Sequence, residues 1–123
     1  MLNGSCACGA IRFSTSAAPF GASSCHCTQC RKMSGHIWAS AQVPVGDLTI
    51  DGPVRWLELT PKARRGICPD CGAFLFWHGS GEDTISFALG AVDGDTGLRL
   101  ERHIFTADKG DYYDIADGLP QRP

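Results

Sequence analysis

Cys68-Pro69-Asp70-Cys71-Gly72 reads as a metal-binding knuckle at the centre of a 123-residue chain. In such a turn two thiols converge on one point and free backbone N–H groups can donate to the sulfurs. The glycine after the second cysteine permits the positive φ that closes the turn. Working outward, two further clusters appear, Cys6-Ala7-Cys8-Gly9 and Cys25-His26-Cys27-Thr28-Gln29-Cys30. Structural zinc nearly always takes four protein ligands, with Zn–S about 2.3 Å, whereas a reactive site keeps a position free. Seven cysteines in a two-three-two arrangement therefore predict two Zn²⁺ per chain. Cys6, Cys8, Cys68 and Cys71 are expected to enclose a structural ion, and Cys25, Cys27 and Cys30 to hold a ligand-accessible one. Other readings stay open at this point. One zinc with three apolar buried cysteines is possible, and disulfides would leave one thiol over. An iron–sulfur cluster usually needs four thiolates.

Around these clusters lie short runs with strand character, punctuated by 15 Gly and 7 Pro. Ile11, Phe13 and Thr15 alternate with Arg12 and Ser14. Further runs cover Ile37 to Val43, Ala73 to His78, Thr84 to Val92 (broken by Gly90) and Arg102 to Phe105. Leu48 to Ile50 and Val54 to Leu59 flank Asp51-Gly52-Pro53, which reads as a hairpin connection. No segment sustains a helical apolar period over three turns, although a short helix is expected after Cys27, from Gln29 to Met33. The prediction is an all-β single domain over residues 1–123, built of antiparallel sheets stapled by zinc, with little helix. Leu, Ile, Val and Phe make up only about a fifth of the chain, so a thin core gains from metal staples.

The charge balance narrows the partners. A net charge of −2 and a pI near 6.0 give no overall basic field for nucleic acid or anionic lipid. No apolar run of roughly eighteen residues occurs, so no membrane span is expected. The first residues show neither the basic nor the apolar part of a secretory signal, and the expected location is cytoplasmic. Thiols are kept reduced there, which favours metal over disulfides.

With these motifs in view, the chain resembles the glutathione-dependent formaldehyde-activating family, which includes the centromere-protein-V-like proteins. Gly4-Ser5-Cys6-Ala7-Cys8-Gly9-Ala10 with Ile11-Arg12-Phe13 is similar to that family's opening strand pair. Cys25-His26-Cys27-Thr28-Gln29-Cys30-Arg31-Lys32 with Ser34-Gly35 resembles its second motif, and Cys68-Pro69-Asp70-Cys71-Gly72 its third. Gly90-Ala91-Val92-Asp93, Arg102-His103-Ile104-Phe105 and Tyr113-Asp114 match weaker positions. The resemblance implies a β-tent fold, a structural zinc on Cys6, Cys8, Cys68 and Cys71, and a ligand-accessible zinc on Cys25, Cys27 and Cys30. It also implies a carbon–sulfur lyase-type activity that joins glutathione to formaldehyde, giving S-(hydroxymethyl)glutathione.

Two functions are weighed, the first being what the resemblance implies. As an enzyme, the three-cysteine site would activate a small thiol, with glutathione expected, for addition to a small aldehyde. Arg31, Lys32, Arg64 and Arg65 are candidates for glutathione's carboxylates, although solvated loop charge is their plainer reading. As a non-catalytic zinc-dependent binding module, the chain would offer its sheet surface to a protein. His26 lies between two ligands but points apart from them in so tight a turn, and a non-ligand role is expected. His36, His78 and His103 are read as hydrogen-bonding residues rather than ligands.

Overall fold

The computed structural model describes residues 1–123. Ten strands and one helix form two open sheets. In chain order the strands are β1 (Leu2–Ser5), β2 (Arg12–Thr15), β3 (Phe20–Cys25), β4 (Trp38–Pro44), β5 (Leu48–Asp51), β6 (Arg55–Thr60), β7 (Ala63–Ile67), β8 (Phe74–Gly79), β9 (Thr84–Ala88) and β10 (Arg102–Ile104). The helix α1 (Thr28–Ser34) lies between β3 and β4. A three-stranded sheet has the order β1-β2-β5, and a seven-stranded sheet the order β10-β3-β4-β9-β8-β7-β6. The all-β expectation holds, with one helix where one was expected.

Two expectations are corrected. Asp51-Gly52-Pro53 is not a hairpin: β5 pairs with β2 in the small sheet, whereas β6 pairs with β7 in the large one. The turn is a crossover between sheets. Gly52 has φ 123°, and a Cβ there would lie 2.4 Å from the Ala10 carbonyl oxygen. That close approach to another backbone, rather than hairpin closure, accounts for the glycine. The sheets are also not wholly antiparallel, because β10 runs parallel to β3. The chain from Leu89 onward returns by a long path to the edge of the large sheet, which is the connection a parallel pair needs.

The main core lies between the sheets. Phe13 of β2 packs its ring edge-on to Phe76 of β8, with centroids 5.3 Å apart, and lies 5.5 Å from Phe87 of β9. Ile11, Val43, Leu75 and Ile85 complete this layer. Strand alternation sends the other side chains to the far face of the large sheet. On β4, Ala41 and Val43 join the core, while Trp38, Ser40 and Gln42 line a cavity on the opposite side. The core excludes water on one face, and the second face is left to build a site.

Candidate metal centres and thiol cavity

The four-cysteine cluster joins the two sheets. Cys6 and Cys8 sit in the turn between β1 and β2, and Cys68 and Cys71 in the turn between β7 and β8. Both turns close in the same way. The Gly9 N–H donates to the Cys6 carbonyl (3.1 Å) and the Gly72 N–H to the Cys68 carbonyl (2.8 Å). The two glycines have φ of 80° and 79°, as the knuckle reading requires. The four Sγ atoms all lie within 4.8 Å of one another. Cys8 Sγ is 3.6 Å from Cys6 Sγ and 3.7 Å from Cys68 Sγ. A tetrahedron with Zn–S of about 2.3 Å has sulfur–sulfur edges of about 3.8 Å, so this donor set fits zinc. Enclosure is only partial: Cys6 and Cys68 are buried, but Cys8 and Cys71 are exposed.

The three-cysteine cluster is built at one strand–helix junction. Cys25 ends β3, Cys27 is the N-cap of α1, and Cys30 lies in its first turn. Cys27 Sγ accepts the Cys30 N–H at 3.3 Å, so one sulfur serves as both helix cap and potential ligand. Gly35 ends the helix, donating its N–H to the Arg31 carbonyl. The three Sγ atoms lie within 4.8 Å of one another. All three cysteines open onto a cavity of about 430 Å³ in the far face of the large sheet.

Thiol ionisation in both clusters is strongly shared. Cys27 is held far below the ordinary thiol range because Cys25 and Cys30 donate to it. Cys25 is pushed up to about 11, chiefly by Cys27. Cys30 is pushed up by Cys25, Cys27 and its burial. One negative charge suits this cluster by itself, and three thiolates together require a cation in their midst. In the other cluster, burial raises Cys6, but the Ile11 amide and its thiol neighbours outweigh that and bring it down to about 6. The Ala73 amide leads the lowering of Cys71. The Ala10 amide lowers Cys8, but Cys6, Cys68 and Cys71 carry it up to about 12. Both clusters can hold a metal ion.

The histidines take no part in either set of thiols. His26 is fully buried, and both its ring nitrogens are engaged, Nδ1 with the Tyr113 hydroxyl and Nε2 with His103 Nδ1 at 2.9 Å. His103 Nε2 meets Asp117 Oδ2 at 2.7 Å. One proton arrangement satisfies the whole chain of groups. Asp117 accepts from His103 Nε2–H, His103 Nδ1 accepts from His26 Nε2–H, and His26 Nδ1 accepts from the Tyr113 hydroxyl. This is assigned from the hydrogen bonds, and burial leads the lowering of the His26 pKa, in keeping with a neutral ring. The network anchors the Cys25–Cys27 turn to the C-terminal segment. His36 Nδ1 pairs with the Tyr112 hydroxyl at 2.7 Å, and His78 Nε2 donates to the Glu82 carbonyl at 2.9 Å.

The four candidate cations separate. Arg65 is buried and lines the cavity, and Lys62 joins it there. Arg64, next along β7, points to the other side, with its guanidinium carbon 4.2 Å from the centre of the Trp56 ring. Arg31 and Lys32 lie in the last turn of α1 and are not among the cavity's lining residues. Other lining residues were missed as site residues in the sequence, among them Trp38, Ser40, Gln42, Trp77, Ser86, Phe105 and the acidic Asp108. The one available signal was the alternation Trp38-x-Ser40-x-Gln42, which presents polar and aromatic groups on one face of a strand.

A small two-sheet protein with one four-thiol cluster between its sheets and one three-thiol cluster in a cavity is what the fold and site define. The family model described as glutathione-dependent formaldehyde-activating enzyme matches residues 1–108. The chain belongs to that family. A crystal structure of a Rhodobacter sphaeroides protein superposes with a TM-score of 0.60 at 23% sequence identity, covering 76% of this chain and 89% of that one. At that identity the likeness shows the fold alone. Among curated proteins, none matches the chain. No helix is long and apolar enough to cross a membrane.

Proposed function

We propose that this chain, acting as one domain over residues 1–123, is a zinc-dependent enzyme of the carbon–sulfur lyase type. It joins glutathione to formaldehyde, giving S-(hydroxymethyl)glutathione. The observation that carries this reading is the opening of Cys25, Cys27 and Cys30 onto the cavity, together with the family match. Cys6, Cys8, Cys68 and Cys71 would hold a structural zinc that ties the small sheet to the large one. Cys25, Cys27 and Cys30 would hold the second. Bound there, zinc would supply the positive charge that favours ionisation of a thiol, ordinarily of pKa about 8.5, at neutral pH.

The chain's own residues do the rest. Trp38, Trp77 and Phe105 wall the cavity with aromatic surface, which excludes water and strengthens the charges inside. Ser23, Ser40 and Ser86 are small enough to leave room and supply hydroxyls for orientation. Trp38 is fixed by stacking on Phe74, with centroids 4.1 Å apart, and by donating Nε1–H to the Phe74 carbonyl at 3.1 Å. The thiolate's electron pair forms the new C–S bond at the formaldehyde carbon. The carbonyl π pair moves to oxygen, which takes a proton from solvent. Holding the two reactants together is the main source of acceleration.

The test is formaldehyde consumption by the zinc-loaded protein with glutathione, after subtracting the uncatalysed addition. A rate above background that is lost in folded Cys27→Ser is expected. No rate above background would discard the enzyme and leave the non-catalytic binding module.

A further inference from the structure

Arg65 is buried in the cavity wall, and two of its three guanidinium nitrogens have nothing to bond. The residue is 5% exposed, and its Nε and Nη1 have no hydrogen-bond partner. The chain's two ion pairs join other residues, Arg102 with Glu101 and His103 with Asp117. An arginine side chain is a permanent cation. A buried charge without a partner is strongly unfavourable, and buried charges are paired as a rule. Here the chain itself supplies no partner.

The surroundings indicate what the missing partner is. Arg65 on β7 is level with Trp77 on β8, Trp77 with Ser86 on β9, and Ser86 with Gln42 on β4. All four residues line the cavity that also holds Cys25, Cys27 and Cys30. The row is one cation beside a flat aromatic ring, a hydroxyl and an amide. A planar guanidinium with unpaired donors in the wall of a cavity matches a carboxylate, which can accept two parallel N–H bonds. We infer that Arg65 is the specificity residue of the thiol cavity. It receives one carboxylate of the incoming thiol, so the site takes carboxylate-bearing thiols and discriminates against neutral ones. This rests on the reading that Cys25, Cys27 and Cys30 receive a thiol. It also narrows that reading, because one buried anchor, rather than a group of surface cations, sets the selectivity.

An arginine kept for its ligand destabilises the free protein, whereas an arginine kept for structure stabilises it. The two roles therefore separate experimentally. Zinc-loaded protein is titrated with glutathione and with glutathione diethyl ester, which carries the same thiol with its carboxylates masked. Trp38 and Trp77 in the cavity wall report binding by fluorescence. Wild type should bind the acid at least about tenfold more tightly than the ester. Arg65→Met should abolish that preference, Arg65→Lys should keep part of it, and ligand-free Arg65→Met should melt no lower than wild type.

Equal affinity of wild type for acid and ester overturns the inference without need of a variant. So does an unchanged preference in Arg65→Met. If formaldehyde is not consumed but the Arg65-dependent preference is present, the catalytic reading falls and the carboxylate site stands. If formaldehyde is consumed and acid and ester bind alike, the reaction stands and the Arg65 assignment falls.

Discussion

Replacing Cys68 by serine should cost far more stability than replacing Cys27, and the difference can be worked from where each cluster sits. Cys8 and Cys68 are 60 residues apart in sequence, with Sγ atoms 3.7 Å apart. A cross-link closing a loop of that length removes about 4 kcal/mol of chain entropy from the unfolded state. Cys68 is also fully buried within the main core, so a serine hydroxyl left without a partner there adds about 1–3 kcal/mol. A domain of this size has a total stability of about 6–18 kcal/mol, so Cys68→Ser should lose a large part of it. The three-cysteine cluster closes only the short segment from Cys25 to Cys30, for which the same relation gives about 2 kcal/mol. Serine is a strong N-cap, so Cys27→Ser keeps the cap that the thiol now provides. The gap between the variants should be about 3–5 kcal/mol in urea unfolding, followed by circular dichroism at fixed free zinc. Equal losses, or a larger loss for Cys27→Ser, would refute the division into a structural and an open site.

Metal analysis of protein purified without chelator should give two zinc ions per chain, and a value of one or less with all seven thiols reduced would remove the second site. Gly52→Ala should lose about 1–3 kcal/mol from its φ of 123° alone, and more from displacing the Ala10–Ile11 backbone. Because the Ile11 N–H donates to Cys6 Sγ at 3.3 Å, that variant should also retain less zinc at the four-cysteine site. Thermal melting and zinc content of the same sample check both.

The cysteine spacing made the two clusters legible, because metal ligation is local chemistry that knuckles and glycines announce. Strands with large alternating residues, such as Arg12–Thr15 and Phe74–Gly79, were legible for the same local reason. Phe20–Cys25 and Ala63–Ile67 were not. The first is made of small residues because it lies between two strands, with the core on one side and the cavity on the other. The second carries Arg65 at an inward position, and a buried arginine reads as surface in any pattern of polarity. Its meaning depends on β8, β9 and β4 lying beside it, which chain order does not reveal. The Asp51-Gly52-Pro53 turn misled because a hairpin and a sheet-to-sheet crossover use the same turn residues. The His26–His103–Asp117 network was hidden too, since it joins residues 77 and 14 positions apart.

The most direct test of an open, thiol-receiving metal site uses cobalt in place of zinc, with glutathione titrated while the thiolate-to-metal charge-transfer band is followed. The band should change and saturate at one glutathione per chain in wild type, and should not change in Cys27→Ser, whose four-cysteine site is intact. A wild-type spectrum unmoved by glutathione, or a change of the same size in Cys27→Ser, would contradict it.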